Sequence, residues 1–435
     1  MTARHEAAPP GAVTGGVHPS TADDRKRPGV TMDAPQPSAL TRPVTLLFAI
    51  ASGLAVANAY FAHPLLDVMA DDLGLTRAIA GLIVGATQLG YGLGLILLVP
   101  IGDLVDRRRL IVGQLLLSVL ALIAVTVSST GAMLLASMAA VGLLAVVTQA
   151  LVAYAASLAR PGERGQVVGT VTSGIVLGIL LARTIAGTLT DLSGWRTVYL
   201  VSAVMTLAIA LLLARALPRQ NRPRARISYP RLIGSLFTLL VEEPVLRIRA
   251  VIAMLIFANI TTLLTPLVLP LSAPPFSLSH TEVGLFGLAG AAGALGAARA
   301  GRWADQGWGQ RTTGIALGLM LVAWLPIALL PQSILWLILG VFVIDFGLQA
   351  THVTNQAMIY RTRPEAQNRL TAGYMLFYSI GSAVGSSSST IVYAQAGWGG
   401  VCLLGAGISA LTIAFWAATL RATPKAATQR LAPAE

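Results

Sequence analysis

Charged residues are scarce in this chain. They make up 11% of its 435 residues, against about 25% in a typical soluble domain. The mean hydropathy is +0.73, and residues 110–159 carry no charged side chain. A helix needs about 20 mostly apolar residues to cross the hydrocarbon core of a membrane. The composition therefore excludes an ordinary soluble protein and predicts an all-α polytopic membrane protein.

Cysteine and catalytic motifs are also nearly absent. The single cysteine, Cys402, excludes a disulfide framework within the chain. The sequence contains no metal-ligand cluster, phosphate-binding loop or nucleophile–base pair, so we expect neither an enzyme nor a cofactor. The net charge of +12 does not indicate nucleic-acid binding, because the arginines stand at the ends of apolar segments. Without a nucleotide-binding motif, any energy coupling must come from an ion gradient.

Twelve apolar segments can cross a membrane, six on each side of a basic connector. The predicted spans are residues 44–66, 77–101, 109–128, 132–158, 166–191, 196–217, 246–270, 281–300, 312–330, 333–360, 368–394 and 398–421. The predicted organisation is a disordered tail (1–43), an N-terminal six-helix bundle (44–217), a connector (218–245), a C-terminal six-helix bundle (246–421) and a second tail (422–435).

Arginine placement predicts the orientation, because cytoplasmic loops carry the excess of Lys and Arg. If both termini are cytoplasmic, the outer loops hold only Arg77 and Arg196. The inner loops then hold residues 107–109, Arg160, Arg164, the connector arginines, Arg302, Arg311, Arg361, Arg363 and Arg369. We therefore expect a multi-pass protein of the inner membrane with both termini in the cytoplasm.

The two sets of six spans repeat each other. Asp103 and Asp305 follow the second span of each set and stand 202 residues apart. "SGWR" at 193–196 recurs as "AGWG" at 396–399, and "RPGERGQVVG" at 160–169 recurs as "RPEAQNRLTAG" at 363–373, both at an offset of about 203. An even number of helices per repeat predicts two bundles related by an axis along the membrane normal.

These features resemble the major facilitator superfamily: six plus six helices, a charged loop after the second span of each half, and a basic central connector. The loops "PIGDLVDRRR" at 100–109 and "GRWADQGWGQR" at 301–311 resemble its loop motif. By this resemblance Asp103, Arg107, Arg108 and Asp305 are expected to form a cytoplasmic gate. The stretches "NAYFAHPLL" and "HVTNQ" resemble bacterial drug- or sugar-efflux permeases, although Ile179 stands where drug–proton antiporters often carry proline.

A polar stripe interrupts the apolar tenth span. Asp345, Gln349, His352 and Gln356 have offsets of 0, 4, 7 and 11, so at about 100° per residue they fall within roughly 60° of one helix face. An ionisable group in mid-membrane costs at least about 2.5–3.5 kcal/mol and therefore indicates function. We expect the stripe to face a water-filled cavity, where Asp345 carries protons or anchors substrate and His352 could relay protons. The alternatives are a structural ion pair for Asp345 and a plain hydrogen bond for His352.

Further polar residues are expected in this pathway. Arg183 in span 5 can only be a counter-charge or an anion ligand, because a guanidinium does not release its proton. The resemblance implies that spans 1, 4, 7 and 10 line the cavity, which adds Asn58, Gln149 and Asn259. For Asn58 and Asn259, a hydrogen bond between helices is the alternative. Spans 2, 5, 8 and 11 are rich in glycine and are expected to form the interface between the halves.

The function that these features favour is secondary active transport by alternating access, with proton-coupled efflux of a small organic compound by a monomer. The expected partners are this substrate, protons and the lipid bilayer. A proton symporter or uniporter that imports a nutrient is the first alternative. A membrane sensor that does not transport is an alternative of another class.

Overall fold

The computed structural model describes residues 41–159, 164–217, 229–289, 303, 307–363 and 367–421. Within these ranges the chain forms α-helices, short 3₁₀ turns and no strand. Ten helical segments of the described part are long and apolar enough to cross a membrane. The expected all-α polytopic fold is therefore confirmed.

We number the described α-helices in chain order. They are α1 Arg42–Tyr60, α2 Leu66–Asp72, α3 Arg77–Leu97, α4 Arg107–Thr126, α5 Gly131–Ala145, α6 Val147–Leu158, α7 Arg164–Ser193, α8 Trp195–Ala216, α9 Tyr229–Glu242, α10 Pro244–Leu264, α11 Val268–Ser272, α12 His280–Ala289, α13 Gly309–Val322, α14 Trp324–Ala328, α15 Ile334–Tyr360 and α16 Gln367–Thr419.

The segments differ from the twelve predicted spans at two places. Predicted span 8 begins as α12, but residues 290–300 lie outside the described residues. Predicted spans 11 and 12 form the single segment α16, which is broken at Gly397 with φ +62°. Gly194, between α7 and α8, also has a positive φ, of +83°. These glycines stand 203 residues apart, so both copies of the repeat place a glycine where an L side chain would be strained.

Proline breaks one span in each half at a matching position. The first span runs as α1, a 3₁₀ turn over His63–Leu65 that contains Pro64, and α2. The seventh span runs as α10 and α11, which Pro266 separates. Proline lacks the N–H that the helix ladder needs, so the helix ends or changes direction there.

The two ends of the helix bundle differ in their arginine content. The arginine-poor end holds residues 73–76, 127–130, 194 and 273–279, and the arginine-rich end holds residues 98–106 and 361–363. Large apolar side chains such as Leu335 (70% exposed) and Leu403 (77% exposed) cover the outside of the bundle between these ends. Such a surface is stable only against lipid.

Glycines bring the two halves together, as the sequence predicts. Among the described helices, the most extensive contacts between the halves are those of α3 with α16 and of α7 with α12. A Cβ added at Gly187 would lie 2.1 Å from the backbone oxygen of His280, and one added at Gly284 would lie 2.5 Å from the backbone oxygen of Arg183. Small residues permit this close backbone approach, so spans 2, 5, 8 and 11 are confirmed as the interface.

The basic connector contains a helix that the sequence analysis does not identify. Helix α9 buries Leu236 and Leu239 and leaves Phe237 exposed. The Tyr229 hydroxyl donates a hydrogen bond to the Leu97 backbone oxygen at 2.7 Å, which ties α9 to the end of α3. The connector is thus attached to the arginine-rich end of the N-terminal half.

Candidate functional site

The polar stripe of α15 lies between the packed core and the lipid-facing surface. Asp345, Gln349, His352 and Gln356 are all half-buried, whereas neighbouring side chains such as Leu348 are buried. Because the four side chains share one helix face, they border the same space between helices. This position is compatible with a cavity lining.

Asp345 and Arg183 come from different halves, carry opposite charges and are both half-buried. Within the described part of the chain, no ion pair of 4 Å or less joins them. Arg183 lines a narrow cavity with His63, Pro64 and Phe286. Its Nε is buried and has no hydrogen-bond partner there. The two opposite charges are therefore not joined in an ion pair.

Tyrosine hydroxyls connect the halves beside these charges. The Tyr60 and Tyr378 hydroxyls share a hydrogen bond of 2.7 Å, which joins α1 to α16. The sequence analysis does not identify Tyr378, but a tyrosine in mid-span needs a partner for its hydroxyl, and that requirement could have indicated it.

Gln149 reaches the same region through another tyrosine. Its Nε2 donates to the Tyr91 hydroxyl at 3.3 Å, and the Tyr91 ring packs edge-on against Tyr378 with centroids 6.3 Å apart. The structure thus brings Gln149 to one tyrosine cluster, consisting of Tyr60, Tyr91 and Tyr378.

His352 lies next to this cluster and is held on two sides. Its Nδ1 forms a hydrogen bond of 2.9 Å with the Tyr374 hydroxyl, and its ring packs edge-on against Phe257 at 5.3 Å. Phe257 also contacts Tyr378, with ring centroids 4.0 Å apart. Phe257 therefore joins the histidine to the tyrosine cluster.

A buried arginine that the sequence analysis misses extends this network. Arg249 is 0% exposed, and its Nη1 donates to Thr313 at 3.0 Å and to the Asn355 side-chain oxygen at 3.2 Å. Asn355 donates in turn to the Tyr374 hydroxyl at 3.4 Å. The position of Arg249 one turn inside an apolar segment looks like a helix end in the sequence, which hides its burial.

Asn58 and Asn259 do not join the site, so the expectation that they line it does not fit the structure. Ser202 on α8 donates to the Asn58 side-chain oxygen, and Asn58 is buried. The Asn259 amide donates to the Gly405 backbone oxygen at 2.8 Å and to Ser409 at 2.7 Å. Each asparagine instead ties its own half together, as hydrogen bonds between helices do in membranes.

The expected gate residues are only partly described. Arg107 donates to the Ala153 backbone oxygen at 3.1 Å, and Arg108 donates to the Ala214 backbone oxygen. Both contacts lie within the N-terminal half, so they order that half at the arginine-rich end. The side chain of Asp103 and all of Asp305 lie outside the described residues.

The chemistry available at the site is proton and charge binding. In the part of the chain that the structure describes, no group of three His, Cys, Asp or Glu side chains could hold a metal ion. Asp345 can alternate between a carboxylate and a neutral acid, whereas Arg183 stays charged. The two residues can thus form a site whose net charge depends on one proton.

Comparison with known proteins places this geometry in context. The family model of the Major Facilitator Superfamily matches residues 48–305 and 250–434. The transporter YgaY of Escherichia coli is 48% identical over 377 residues, which cover 87% of this chain and 95% of that protein. Multidrug resistance protein D of Escherichia coli is 31% identical over 201 residues, or 44% of this chain and 49% of that protein.

The fold also matches a solved transporter. A bacterial homologue of the human lysosomal transporter Spinster, solved in an inward-facing and occupied conformation, aligns with a TM-score of 0.71. The alignment covers 90% of this chain and 98% of that one, with 14% sequence identity. At this identity the match concerns the fold alone.

Proposed function

This chain belongs to the Major Facilitator Superfamily of membrane transporters, and we propose that it exports a small organic compound across the inner membrane in exchange for protons. In this proposal the arginine-rich end and both termini face the cytoplasm. The N-terminal bundle (44–217) and the C-terminal bundle (246–421) rock about the site by alternating access. The protein works as a monomer.

The observation that carries the proposal is a pair of half-buried, oppositely charged side chains in mid-span, Asp345 and Arg183, one in each half. An ionised Asp345 attracts Arg183, and protonation of Asp345 removes that attraction. A proton on Asp345 therefore changes the free-energy difference between conformations in which the two residues are near and far apart. This link is what a proton-driven transporter needs.

Exchange follows if the substrate and the proton compete for Asp345. The carboxylate can hold a proton or a positively charged or hydrogen-bonding part of the substrate, but not both. Gln349, Gln356, Gln149 and the tyrosine cluster would then hold the rest of the compound. The local similarity to Multidrug resistance protein D supports export as the direction.

His352 is suited to pass protons between Asp345 and the arginine-rich end. It is bonded to Tyr374, which also accepts from Asn355. Arg249 lies at the end of this chain of hydrogen bonds. Its positive charge disfavours the binding of a second proton within the chain, because like charges repel. We expect Asp103, Arg107, Arg108 and Asp305 to control opening at that end.

Proton release tests the proposal without a known substrate. Everted membrane vesicles with an acidic interior and a pH-sensitive dye are exposed to a diverse panel of compounds, chosen by comparing the growth sensitivity of a deletion strain and an overexpressing strain. Each exported compound should release protons and restore fluorescence. Asp345→Asn should abolish that recovery, whereas the control Asp71→Asn, an exposed acid on α2, should keep it.

Each other outcome selects a different function. Unchanged recovery in Asp345→Asn would remove this residue as the proton carrier. Movement of compound and protons in the same direction would indicate a symporter, and flux without protons a uniporter. If purified protein in liposomes moves none of the compounds that affect the two strains differently, the sensor function becomes the better account.

A further inference from the structure

His280, at the arginine-poor end, lies between two carboxylates. Its Nε2 is 3.2 and 3.3 Å from the two Asp67 carboxylate oxygens, and its Nδ1 is 3.0 Å from Asp191 Oδ1. His280 is the first residue of α12. Thr281 adds a hydroxyl that donates to Asp191 at 2.6 Å. We call these four residues the His280 cluster.

The cluster joins the two halves of the transporter. Asp67 on α2 and Asp191 in the last turn of α7 belong to the N-terminal half, whereas His280 and Thr281 begin α12 of the C-terminal half. Asp191 also accepts the backbone N–H groups of His280 at 3.2 Å and Thr281 at 2.8 Å. The carboxylate thus caps the N-terminus of a helix from the opposite half, where negative charge is stabilised.

The protonation state of the ring follows from its neighbours. A neutral imidazole carries one N–H and one lone pair, so it can donate to only one carboxylate. Either neutral form would turn a lone pair toward a negatively charged oxygen. Only the imidazolium donates to Asp67 and Asp191 at once. Asp191 also accepts hydrogen bonds from three other donors. The contact between His280 and Asp67 is therefore the one that depends most on the second ring proton.

The neighbouring elements carry other ionisable groups. Asp71 and Asp72 on α2 are exposed, and Asp72 pairs with Arg196. Glu282 on α12 accepts hydrogen bonds from Ser279. Arg183 lies about two turns further along α7, His63 is buried in the 3₁₀ turn before α2, and Asp345 lies deeper on α15. The two charged groups that act on His280 are Asp67 and Asp191.

We propose that His280 is a second proton-binding site of the transporter, assembled by Asp67 and Asp191 only when the halves are closed at the arginine-poor end. A proton bound there stabilises the closed end. Separation of the halves takes both carboxylates away and releases the proton. Because proton binding and closure are linked, each favours the other by the same factor.

The direction of the pH effect follows from the ring's surroundings. The hydrogen bonds and charges of Asp67 and Asp191 raise the pKa of His280 above its ordinary value. The closed state therefore holds the proton more tightly than a state with the halves apart. Closure gains its full stabilisation below the ordinary histidine pKa of about 6.5, and loses it as the pH rises through the raised value.

A distance measurement on the complete chain tests this site. Spin labels are placed at Thr76→Cys and Gln332→Cys, two exposed positions of the arginine-poor end in different halves, with Cys402→Ala removing the native thiol. In nanodiscs without substrate, the distance between labels should lengthen between about pH 5.5 and about pH 8.5, which bracket the histidine range. His280→Gln should make the distance insensitive to pH over this range.

Three further variants separate the site from nonspecific effects. Asp67→Asn removes one carboxylate and should move the midpoint of the change to lower pH. Glu282→Gln, on the same helix, should keep the wild-type midpoint. The same pH response should persist when Asp345→Asn is added, which distinguishes this site from the proton carrier of the proposed function. A wild-type distance that does not change with pH, or an unchanged midpoint in both His280→Gln and Asp67→Asn, would overturn the proposal.

Discussion

Individual polar residues in this transporter have one of two roles, and burial separates them. Asn58, Asn259 and Arg249 are buried and bonded to neighbouring helices. Asp345 and Gln349 are only half-buried on one face of α15. A buried polar group must be paired within the protein, because lipid offers no hydrogen bonds. The first group therefore holds the fold, and the second is available to a substrate.

Asn259→Ala and Gln349→Ala should separate these roles. Asn259→Ala loses the bonds to Gly405 and Ser409 and leaves the Trp324 indole N–H, 3.2 Å away, without its acceptor. We expect a loss of about 1–3 kcal/mol of stability, seen as a lower thermal unfolding midpoint in detergent, with transport affinity unchanged. Gln349→Ala should weaken the apparent affinity and leave the midpoint in place. If Asn259→Ala weakened the apparent affinity and Gln349→Ala lowered the unfolding midpoint, the roles assigned to the two residues would have to be exchanged.

Pairs of helices control the closure at the arginine-poor end. Gly187 on α7 lets its backbone approach His280 on α12, and Gly284 does the same toward Arg183. This pair of helices also carries Arg183 and Asp191 on α7 and His280 on α12. We therefore expect closure at this end to depend on these close backbone contacts at Gly187 and Gly284.

Gly187→Ala should shift the transporter away from the closed arginine-poor end. The added Cβ would meet the His280 backbone oxygen at 2.1 Å, and overpacking of this kind costs about 1–3 kcal/mol. The distance between labels at positions 76 and 332 should lengthen at all pH values. Gly169→Ala on the same helix, where nothing lies within 4 Å, is the matched control. Equal distances in both variants would show that this contact does not limit closure.

The whole molecule must open its ends alternately, so changes at one end should affect turnover and changes at the site should affect binding. At the arginine-poor end, the His280 cluster joins the two halves. At the arginine-rich end, Tyr229 ties the connector helix to α3, and Arg363 pairs with Glu242 at 3.1 Å. Of the expected gate residues, Arg107 and Arg108 lie at that end.

Asp103→Asn should therefore lower flux while it leaves equilibrium substrate binding nearly intact. The expected loss is at least tenfold in transport rate, or about 1.4 kcal/mol on the barrier. Proteoliposome flux and binding by calorimetry, using a compound from the sensitivity panel, measure the two quantities. Asp106→Asn, which removes a charge that caps Arg109, is the nearby control. A large loss of binding with normal expression would contradict a gating role.

Much of this protein follows from the sequence because the membrane imposes strict physical rules. Scarce charge, uncharged runs of about 20 residues and the repeat offset of 203 determine the helical fold and its internal symmetry, since a backbone in lipid must bond to itself. The cost of a charge in lipid marks Asp345 and Arg183, and the helix period places Asp345 and Gln349 on one face.

Tertiary structure alone decided how the helices are rotated against one another and which distant residues meet. Helix periodicity shows that Asn259 lies on a face, but not that this face is turned toward Gly405 and Ser409. Tyr60 and Tyr378 are 318 residues apart, and His280 meets Asp67 across 213 residues. Such contacts depend on the summed packing of many side chains, which leaves no local pattern in the sequence.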